Sequence, residues 1–333
     1  MTKRYSPISD FLKNKFGCKV FKVSLNAGLT CPNRDGTKGI GGCIYCKPET
    51  LMPLNYHYEN NPPLSPFNKG GMMGGFLDDM KIREQLYDGI AYIRKRHKAE
   101  KFISYFQINT NTYAPVSALE KIYQEGIDHP DVVGIAVSTR PDCVDDNILD
   151  LLQNLSKEKF LWLELGLQSS HNKMLKLINR CHTVENFTDA VKRATERKIP
   201  VCSHVILGLP GETREDMLAT ARFLSNLGIW GIKLHHIHIH KGTKLEEMYK
   251  KGKFRPLGLD EYADLVVKFL QEIPEDIIIH RLCGDTSRRF LVAPDWSVNK
   301  FLILDKIHRL MEERDTYQGK QRIKERRNNL CQP

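Results

Sequence analysis

Three closely spaced cysteines are the strongest chemical signal in this sequence. They lie in Cys31-Pro-Asn-Arg-Asp-Gly-Thr-Lys-Gly-Ile-Gly-Gly-Cys43-Ile-Tyr-Cys46, with eleven residues between the first pair and two between the second. A structural zinc ion or an ordinary iron–sulfur cluster takes four protein ligands. Three clustered thiolates with no obvious fourth ligand therefore predict a metal centre with one coordination position open for chemistry.

Spacing alone leaves three interpretations of this cysteine loop open. The loop holds a four-iron cluster with one iron free to chelate a small ligand, or zinc with a remote fourth ligand, or no metal. The remote zinc ligand would be Cys18, Cys143 or a histidine. Tyr45, between the last two thiolates, offers a bound ligand an aromatic face and a phenol, which makes it a candidate cofactor contact.

The composition of the chain restricts its class. The 333 residues suffice for one large α/β domain or two smaller ones, and no stretch approaches the roughly 18 apolar residues of a membrane helix. The N-terminal residues lack the apolar core of a secretory signal, so we expect a cytoplasmic protein with no membrane partner. Nine mostly scattered cysteines indicate metal or catalytic use in a reducing compartment, not a disulfide framework.

The charge balance favours a polyanionic partner. The formal net charge is +10 and the isoelectric point is near 9.1. The C-terminal tail is dense in basic residues, namely Lys320, Arg322, Lys324, Arg326 and Arg327. A terminal run of charge is more often simply solvated, so the tail supports nucleic-acid binding only together with the net charge.

Alternating strand and helix patterns predict a parallel sheet. Strand patterns cover residues 19–25, 102–109, 132–138, 160–167, 200–207 and 231–239. Helical patterns between them cover residues 80–98, 117–125, 146–155, 183–197 and 213–227. Such a sheet is either open and doubly wound or curled into a barrel, and in both cases sites gather at the carboxyl ends of the strands.

A long segment without periodicity follows the cysteine loop. Residues 47–78 are rich in proline and glycine. A loop of this length is unusual in a compact domain unless it is a lid or disordered. We predict a mobile insertion beside the metal site, either a lid or a disordered loop.

The strand–helix alternation ends after the sixth predicted strand. Beyond it, helical patterns cover 260–272 and 300–313, with an extended segment at 276–280 between them. We therefore predict a core of residues 1–245, which includes the N-terminal segment and the long loop. Residues 246–333 form a small, mainly helical C-terminal extension with the basic tail.

Several segments resemble the radical S-adenosylmethionine (radical SAM) superfamily. The Cys-x-aromatic-Cys ending after the first strand is similar to that superfamily's cluster loop, although the gap before Cys43 is wider than its commonest spacing. The wide gap resembles the branch related to the catalytic subunit of Elongator. So do Ser104-Tyr-Phe-Gln-Ile-Asn-Thr-Asn-Thr-Tyr-Ala-Pro115, Ser-Thr-Arg-Pro-Asp at 138–142, Glu-Leu-Gly-Leu-Gln-Ser at 164–169 and Asn-Arg-Cys-His-Thr at 179–183. Residues 25–36 and 291–296 resemble a bacterial Elongator-like family of about this length.

This resemblance implies a fold and two cofactors. The fold is a partial (β/α)6 barrel of the TIM type, with the extension outside it. The three cysteines hold a [4Fe–4S] cluster whose unique iron binds S-adenosyl-L-methionine (SAM). An electron, supplied by a donor such as flavodoxin or ferredoxin, cleaves SAM into methionine and a 5′-deoxyadenosyl radical that abstracts hydrogen from the substrate. No catalytic residue beyond the cluster ligands is assigned.

Polar residues after the second and third strands are candidate contacts for the methionine part of SAM. Gln107 and Asn109, with Asn111, offer amides for the ammonium group, since this sequence lacks the Gly-Gly-Glu motif that usually binds it; a plain Asn- and Thr-rich turn is the alternative. Ser138 and Arg140 lie at the end of the third predicted strand. Arginine grips a carboxylate with two parallel hydrogen bonds, so Arg140 is the candidate for the methionine carboxylate, with a surface ion pair as the alternative.

The fourth and fifth strands offer further candidate cofactor contacts. Glu164 and Gln168 lie on one face of a strand, and a buried carboxylate needs a partner such as ribose hydroxyls, a catalytic contact or a structural arginine. Residues 205–212 resemble the adenine-binding motif, with Ile206 on the base and Gly208 allowing close approach. Glu212 is offset from that motif and is as well explained as a helix cap.

Histidines on the sixth strand are candidate substrate contacts. Strand alternation places His236, His238 and His240 on one face, where they contact substrate or cofactor, or else form a second metal site or proton-transfer set. Arg281, in a polar cluster of the extension, is a further candidate for substrate binding at the barrel mouth.

The resemblance also predicts a substrate. Elongator-like relatives act on the wobble uridine of tRNA, so we expect a partner tRNA and a reaction that remodels the C5 side chain of a 5-carboxymethylaminomethyl-type uridine. Two alternatives are a radical SAM enzyme for a small metabolite or a protein, and a non-catalytic, zinc-stapled nucleic-acid-binding protein.

Overall fold

The computed structural model describes residues 3–47, residue 50 and residues 82–322. Nearly all of the predicted insertion at 47–78 therefore lies outside the described residues, as do Lys324, Arg326 and Arg327 of the basic tail. The predictions made for those residues remain predictions.

Seven parallel strands of the described chain form one curved sheet. Their order is β1-β2-β3-β4-β5-β6-β8, and every neighbouring pair is parallel. The strands of the protein are β1 Val20–Leu25, β2 Lys101–Phe106, β3 Val132–Thr139, β4 Phe160–Gln168, β5 Val201–Leu207, β6 Gly231–His236, β7 Ile239–His240, β8 Ile278–Arg281 and β9 Leu291–Ala293. The predicted α/β fold with a partial barrel is confirmed.

Helices cover the outer face of this sheet. They are α1 Ile8–Phe16, α2 Ile82–His97, α3 Val116–Ile127, α4 Asp146–Leu155, α5 Asn172–Leu177, α6 Val184–Glu196, α7 Arg214–Ser225, α8 Lys244–Lys250, α9 Leu259–Glu272 and α10 Lys300–Glu313. The apolar stripes of the crossover helices pack on fully buried strand residues such as Leu25, Phe106 and Leu207. Strands buried in this way read as nearly continuous apolar runs, which explains why the sequence revealed them.

Side-chain caps fix where several crossover helices begin. The Asp145 side chain accepts a hydrogen bond from the Ile148 backbone at the start of α4, and Thr183 and Thr213 form capping boxes at the starts of α6 and α7. A cap satisfies backbone N–H groups that have no partner inside the helix. The predicted starts of these three helices are therefore confirmed within one residue.

The C-terminal extension completes the sheet. Its predicted extended segment is the seventh strand, β8, which pairs with β6, while α9 and α10 pack against each other outside the sheet. Strand β6 ends at His236, earlier than predicted, because Ile239 and His240 pair instead with β9 in a separate two-stranded sheet. The extension therefore supplies part of the barrel wall.

None of the helices in the described ranges is long and apolar enough to cross a lipid bilayer.

Candidate active site

A cavity of about 610 Å³ lies at the carboxyl ends of the strands, where the sequence predicted a site. The structure brings most of the predicted site residues to its wall. They are Cys31, Cys43, Tyr45, Cys46, Gln107, Asn109, Ser138, Arg140, Glu164, Gln168, Ile206, His238, His240 and Arg281. Gly208 and His236 do not line it.

The cysteine loop is fixed by a turn from the other side of the barrel mouth. The Asn33 side chain donates to the Asn179 backbone carbonyl at 2.5 Å, and Asn179 Nδ2 donates to the Gly42 carbonyl at 2.8 Å. The Ile44 backbone N–H donates to the Ile178 carbonyl at 3.1 Å. This turn follows α5, a short helix that the sequence patterns did not predict.

Arg180 is a functional residue that the sequence reasoning missed. Its guanidinium is buried, with Nη1 3.6 Å from the Cys43 sulfur, Nη2 donating to the Gly166 carbonyl at 3.2 Å, and Nε 2.9 Å from His182 Nε2. A side chain at Gly166 would collide with Arg180, because an added Cβ would lie 2.5 Å from Nη2. The only sequence signal was the position of Arg180 inside the segment 179–183.

Arg180 favours the thiolate form of Cys43. Burial raises the pKa of the Cys43 thiol, but the charge and hydrogen bond of Arg180 act in the opposite direction, and the net shift is downward. The thiolate is the form that binds metals. The thiolate form of Cys43 is therefore favoured relative to that of a free cysteine.

The spread of the three sulfurs favours a cluster over zinc. Zinc–sulfur bonds of about 2.3 Å in a tetrahedral site bring sulfurs to within about 4 Å of one another. Within the described part of the chain, the one group of three ligand atoms within 4.8 Å is Glu164, Cys202 and His280, and it contains none of the loop cysteines. The loop cysteines are therefore spread more widely than a zinc site requires.

Arg140 lies in the cavity wall, and one of its guanidinium nitrogens has no hydrogen-bond partner among the described residues. The side chain is 2% exposed and so does not lie at the surface, but the ion pair that the alternative named is present inside the protein. Nε and Nη2 both donate to the Asp142 carboxylate at 2.9 Å, and Nη1 is buried without a partner among the described residues. A buried guanidinium nitrogen without a partner is costly, so this position favours an anionic ligand group.

Two of the three predicted amide side chains line the cavity, and the third makes a structural hydrogen bond instead. Asn109 has a left-handed backbone conformation, φ 63°, and its Nδ2 donates to the Leu29 carbonyl at 2.8 Å. Asn111 Nδ2 donates to the Ser138 carbonyl at 2.9 Å and ties the end of β2 to β3. Gln107 and Asn109 line the cavity, whereas Asn111 does not. Asn111 therefore has a structural role.

Glu164 is the centre of a buried polar network at the cavity floor. Its Oε2 accepts hydrogen bonds from Tyr105 and Ser138, both at 2.8 Å, and from the Lys233 ammonium. The Trp162 indole donates to Oε1 at 2.9 Å. Of the three kinds of partner that the sequence left open, a structural basic residue is present, but it is a lysine and not an arginine.

Lys22 and Lys233 both pair with the single negative charge of Glu164. Lys22 Nζ lies 3.7 Å from Oε1, in addition to the contact with Lys233. Burial alone would raise the pKa of Glu164, but Lys233 and Lys22 hold it well below its usual range. Lys233 already occupies the carboxylate of the group Glu164, Cys202 and His280, and burial raises the pKa of the Cys202 thiol, so both observations weigh against a metal ion in this group.

The fifth strand supplies an apolar wall. Ile206 lines the cavity, and Gly208 lies behind it at φ 84°, where an added Cβ would lie 3.1 Å from Leu257. Glu212 is not a helix cap, because Thr213 caps α7. Glu212 Oε1 instead accepts a hydrogen bond from Ser169 at 2.7 Å, and burial raises the pKa of Glu212 to about 7.

The histidines do not share one face, because β6 ends at His236. His236 Nε2 lies 2.9 Å from Ser297 Oγ and 2.8 Å from His238 Nε2, and its ring packs against Trp296 behind the cavity. His235, which was not predicted, lines the cavity together with His238 and His240. Burial lowers the pKa of His240 to about 4, so it is a neutral imidazole near pH 7.

Comparison with family models gives two matches. Residues 31–224 match the model described as the Radical SAM superfamily, and residues 229–313 match the model described as the Radical_SAM C-terminal domain. The first match begins at Cys31 and spans the strands that line the cavity from β2 to β5.

Comparison with known proteins gives relatives over nearly the whole chain. The protein YtqA of Bacillus subtilis (strain 168) is 40% identical over 97% of this chain and 95% of its own length. A tRNA uridine(34) acetyltransferase of Methanocaldococcus infernus is 24% identical over 55% of this chain and 34% of its own length. The solved structure of archaeal Elp3 from Methanocaldococcus infernus, which lacks its N-terminal residues, has a TM-score of 0.67 at 17% identity and covers 90% of this chain and 64% of that one.

Proposed function

This chain belongs to the radical SAM superfamily, and from that membership we propose that it remodels the C5 side chain of a tRNA wobble uridine of the 5-carboxymethylaminomethyl type. The chain is an enzyme and uses a [4Fe–4S] cluster and SAM. The non-catalytic, zinc-stapled alternative is therefore wrong. Within the superfamily, the proposal assigns the chain to the Elongator-like branch.

The described residues fit both cofactors. The loop offers three thiols and no fourth ligand, and Arg180 lowers the pKa of one of them. The buried Nη1 of Arg140 lacks a partner on the same cavity wall. When bound, the cluster and SAM supply the hydrogen-abstracting chemistry of the reaction.

We assign roles to this chain's residues on that basis. Cys31, Cys43 and Cys46 hold the cluster. Arg140 binds the methionine carboxylate and Ile206 packs on the adenine, while the methionyl ammonium is bound by the second-strand amides. The cavity walls exclude water from the reacting groups. Superfamily members require an electron donor, and we propose a flavodoxin or a ferredoxin for this role.

The excess of positive charge in the cavity is the main observation that supports tRNA as the substrate. Among the described residues, two acids line it, Glu164 and Asp285. Six cations from the same part of the chain line it, namely Arg34, Lys47, Arg140, Arg180, Arg281 and Arg289. A surplus of arginine and lysine in a cleft attracts anionic ligands, and RNA is the most highly charged of these. The likeness to a tRNA uridine(34) acetyltransferase supports the same substrate class.

Deleting the gene should leave a precursor nucleoside in tRNA. We expect 5-carboxymethylaminomethyl uridine to accumulate and its downstream derivative to disappear, as measured by mass spectrometry of digested tRNA. A plasmid copy of the wild-type gene should restore the profile, and a Cys43→Ala copy should not. Unchanged tRNA nucleosides in the deletion strain would refute the proposed substrate.

Arg140→Lys should weaken SAM binding. Lysine keeps one charge beside Asp142 but lacks the nitrogen that Arg140 leaves free, so the reconstituted protein should bind SAM about 10- to 100-fold less tightly. Equilibrium binding under anaerobic conditions measures this. Arg193→Lys, at an arginine paired with Asp189 on the surface, is the matched control and should bind SAM normally. Normal SAM affinity in Arg140→Lys would show that another residue binds the carboxylate.

A further inference from the structure

Arg281 is a cation of the cavity wall that has no counter-charge among the described residues. It ends β8, the strand that the C-terminal extension adds to the sheet. Its Nε is buried without a hydrogen-bond partner, and within the described ranges its guanidinium takes part in no ion pair. A partly buried guanidinium that lacks a partner costs free energy, which an anionic ligand group would recover.

The acids that line the cavity have other partners. Glu164 is occupied by Lys233, Tyr105 and Ser138 at the floor. The Asp285 carboxylate pairs with Lys300 at 3.2 Å. Neither acid therefore supplies the missing charge for Arg281.

The imidazoles beside Arg281 do not supply a charge either. His235 lines the same cavity, and burial, with a further contribution from Arg281, holds the pKa of His235 well below its usual range. Its ring is therefore neutral. The chain segment next to it is packed closely, since a Cβ added at Gly284 would lie 2.5 Å from His235 Nε2. The surroundings of Arg281 are thus compact and include the basic groups Lys22 and Lys233, which repel it, so a charge-assisted hydrogen bond to an anionic group is strong there.

Arg281 and Arg140 lie at different strands of the curved sheet. Arg140 follows β3, and four strand spacings separate β3 from β8 in the sheet order. At about 4.8 Å for each spacing, this is roughly 19 Å measured along the curve of the sheet. Among the described residues, the cavity therefore has two separate arginines with an unpartnered nitrogen, and one SAM carboxylate serves only one of them.

We infer that Arg281 binds the carboxylate of the substrate, on the side chain attached to C5 of the uridine. This inference rests on the proposed function, because it takes the side chain from that proposal. The guanidinium fork matches a carboxylate in two parallel hydrogen bonds. Arg281 is then a specificity-determining residue, which favours a carboxylated side chain over an aminomethyl side chain that carries only a positive charge.

Two anticodon stem-loop RNAs test this inference. One carries 5-carboxymethylaminomethyl uridine at the wobble position and the other carries 5-aminomethyl uridine, with otherwise identical sequence. The wild-type reconstituted enzyme should bind the first RNA more tightly. Arg281→Gln should bind the carboxylated RNA about 30-fold less tightly or worse, with little change for the aminomethyl RNA.

Matched variants separate a local effect from a general one. Arg288→Gln removes a positive charge from an exposed residue of the same segment that does not line the cavity, and it should keep the wild-type preference. Arg281→Lys retains the charge without the fork and should keep part of the preference. Unchanged SAM affinity and circular dichroism in each variant show that it is folded.

The outcomes distinguish the inference from the proposed function. If Arg281→Gln weakens the binding of both RNAs equally, Arg281 binds a backbone phosphate and the inference is overturned. If it keeps the wild-type preference, the carboxylate is bound elsewhere and the inference is likewise wrong. If the wild-type enzyme does not alter the carboxylated RNA in a SAM- and reductant-dependent reaction, the proposed function itself fails.

Discussion

Replacing Cys43 with alanine should abolish both the cluster and the activity. The remaining two thiols of the loop are too few to hold a [4Fe–4S] cluster, whose three-thiolate ligation already leaves one iron without a protein ligand. Iron content after anaerobic reconstitution should fall from about four per chain to near zero. The brown colour of the protein and its SAM-cleaving activity should disappear together.

Cys18→Ala is the matched control for this experiment. Cys18 is a partly buried thiol outside the loop, and it should be dispensable for iron binding and SAM cleavage. Arg180→Met, which removes the cation beside the Cys43 sulfur, should reconstitute more slowly or less completely than the wild-type protein. A Cys43→Ala protein that still binds four irons and cleaves SAM would contradict the ligand assignment.

Glu164→Gln should destabilise the protein by about 3–5 kcal/mol, because it removes the carboxylate that, among the described residues, pairs with both Lys22 and Lys233. Glutamine keeps the size of the side chain but leaves Lys233 buried without a counter-charge. The pKa of Glu164 is depressed in the folded protein, so its charge stabilises the fold above the pKa of an unfolded glutamate, near pH 4.5. Anaerobic urea unfolding at pH 7 measures the loss.

A double variant tests whether the lost stability comes from Lys233, which Glu164→Gln leaves buried without a counter-charge. Lys233→Met in the Glu164→Gln background should recover a large part of the lost stability, since a buried ion pair is often replaceable by apolar side chains at little cost. Asp189→Asn, at a carboxylate whose side chain is 61% exposed, should change the free energy of unfolding by less than about 1 kcal/mol. A double variant as unstable as Glu164→Gln alone would show that the carboxylate acts mainly through its hydrogen bonds.

Local sequence patterns predicted the framework of the protein. The six core strands and the crossover helices depend on residues within a few positions of one another. The cysteine spacing likewise belongs to one short loop. Because parallel strands place their carboxyl ends at one edge, the residues that end β2 to β5 were predictable as neighbours before any contact was known.

Other features depend on contacts between distant segments, which no local pattern encodes. Arg180 reaches Cys43 across 137 positions of sequence, and Lys233 reaches Glu164 across 69. The prediction that His236, His238 and His240 share a face was wrong for a related reason. Pairing with β9 takes the chain out of the sheet after His236, so the alternation that defines a strand face stops there.

The sequence by itself determined the cysteine loop, the order of strands and helices, and the edge of the sheet at which chemistry takes place. The tertiary structure decided which charges meet in the cavity. It paired Glu164 with two lysines, directed Arg180 at the Cys43 sulfur and left Arg281 without a partner among the described residues. The physical reason is that strand and helix patterns arise from neighbouring residues, whereas the charge balance of a buried site is set by side chains that only the folded barrel brings together.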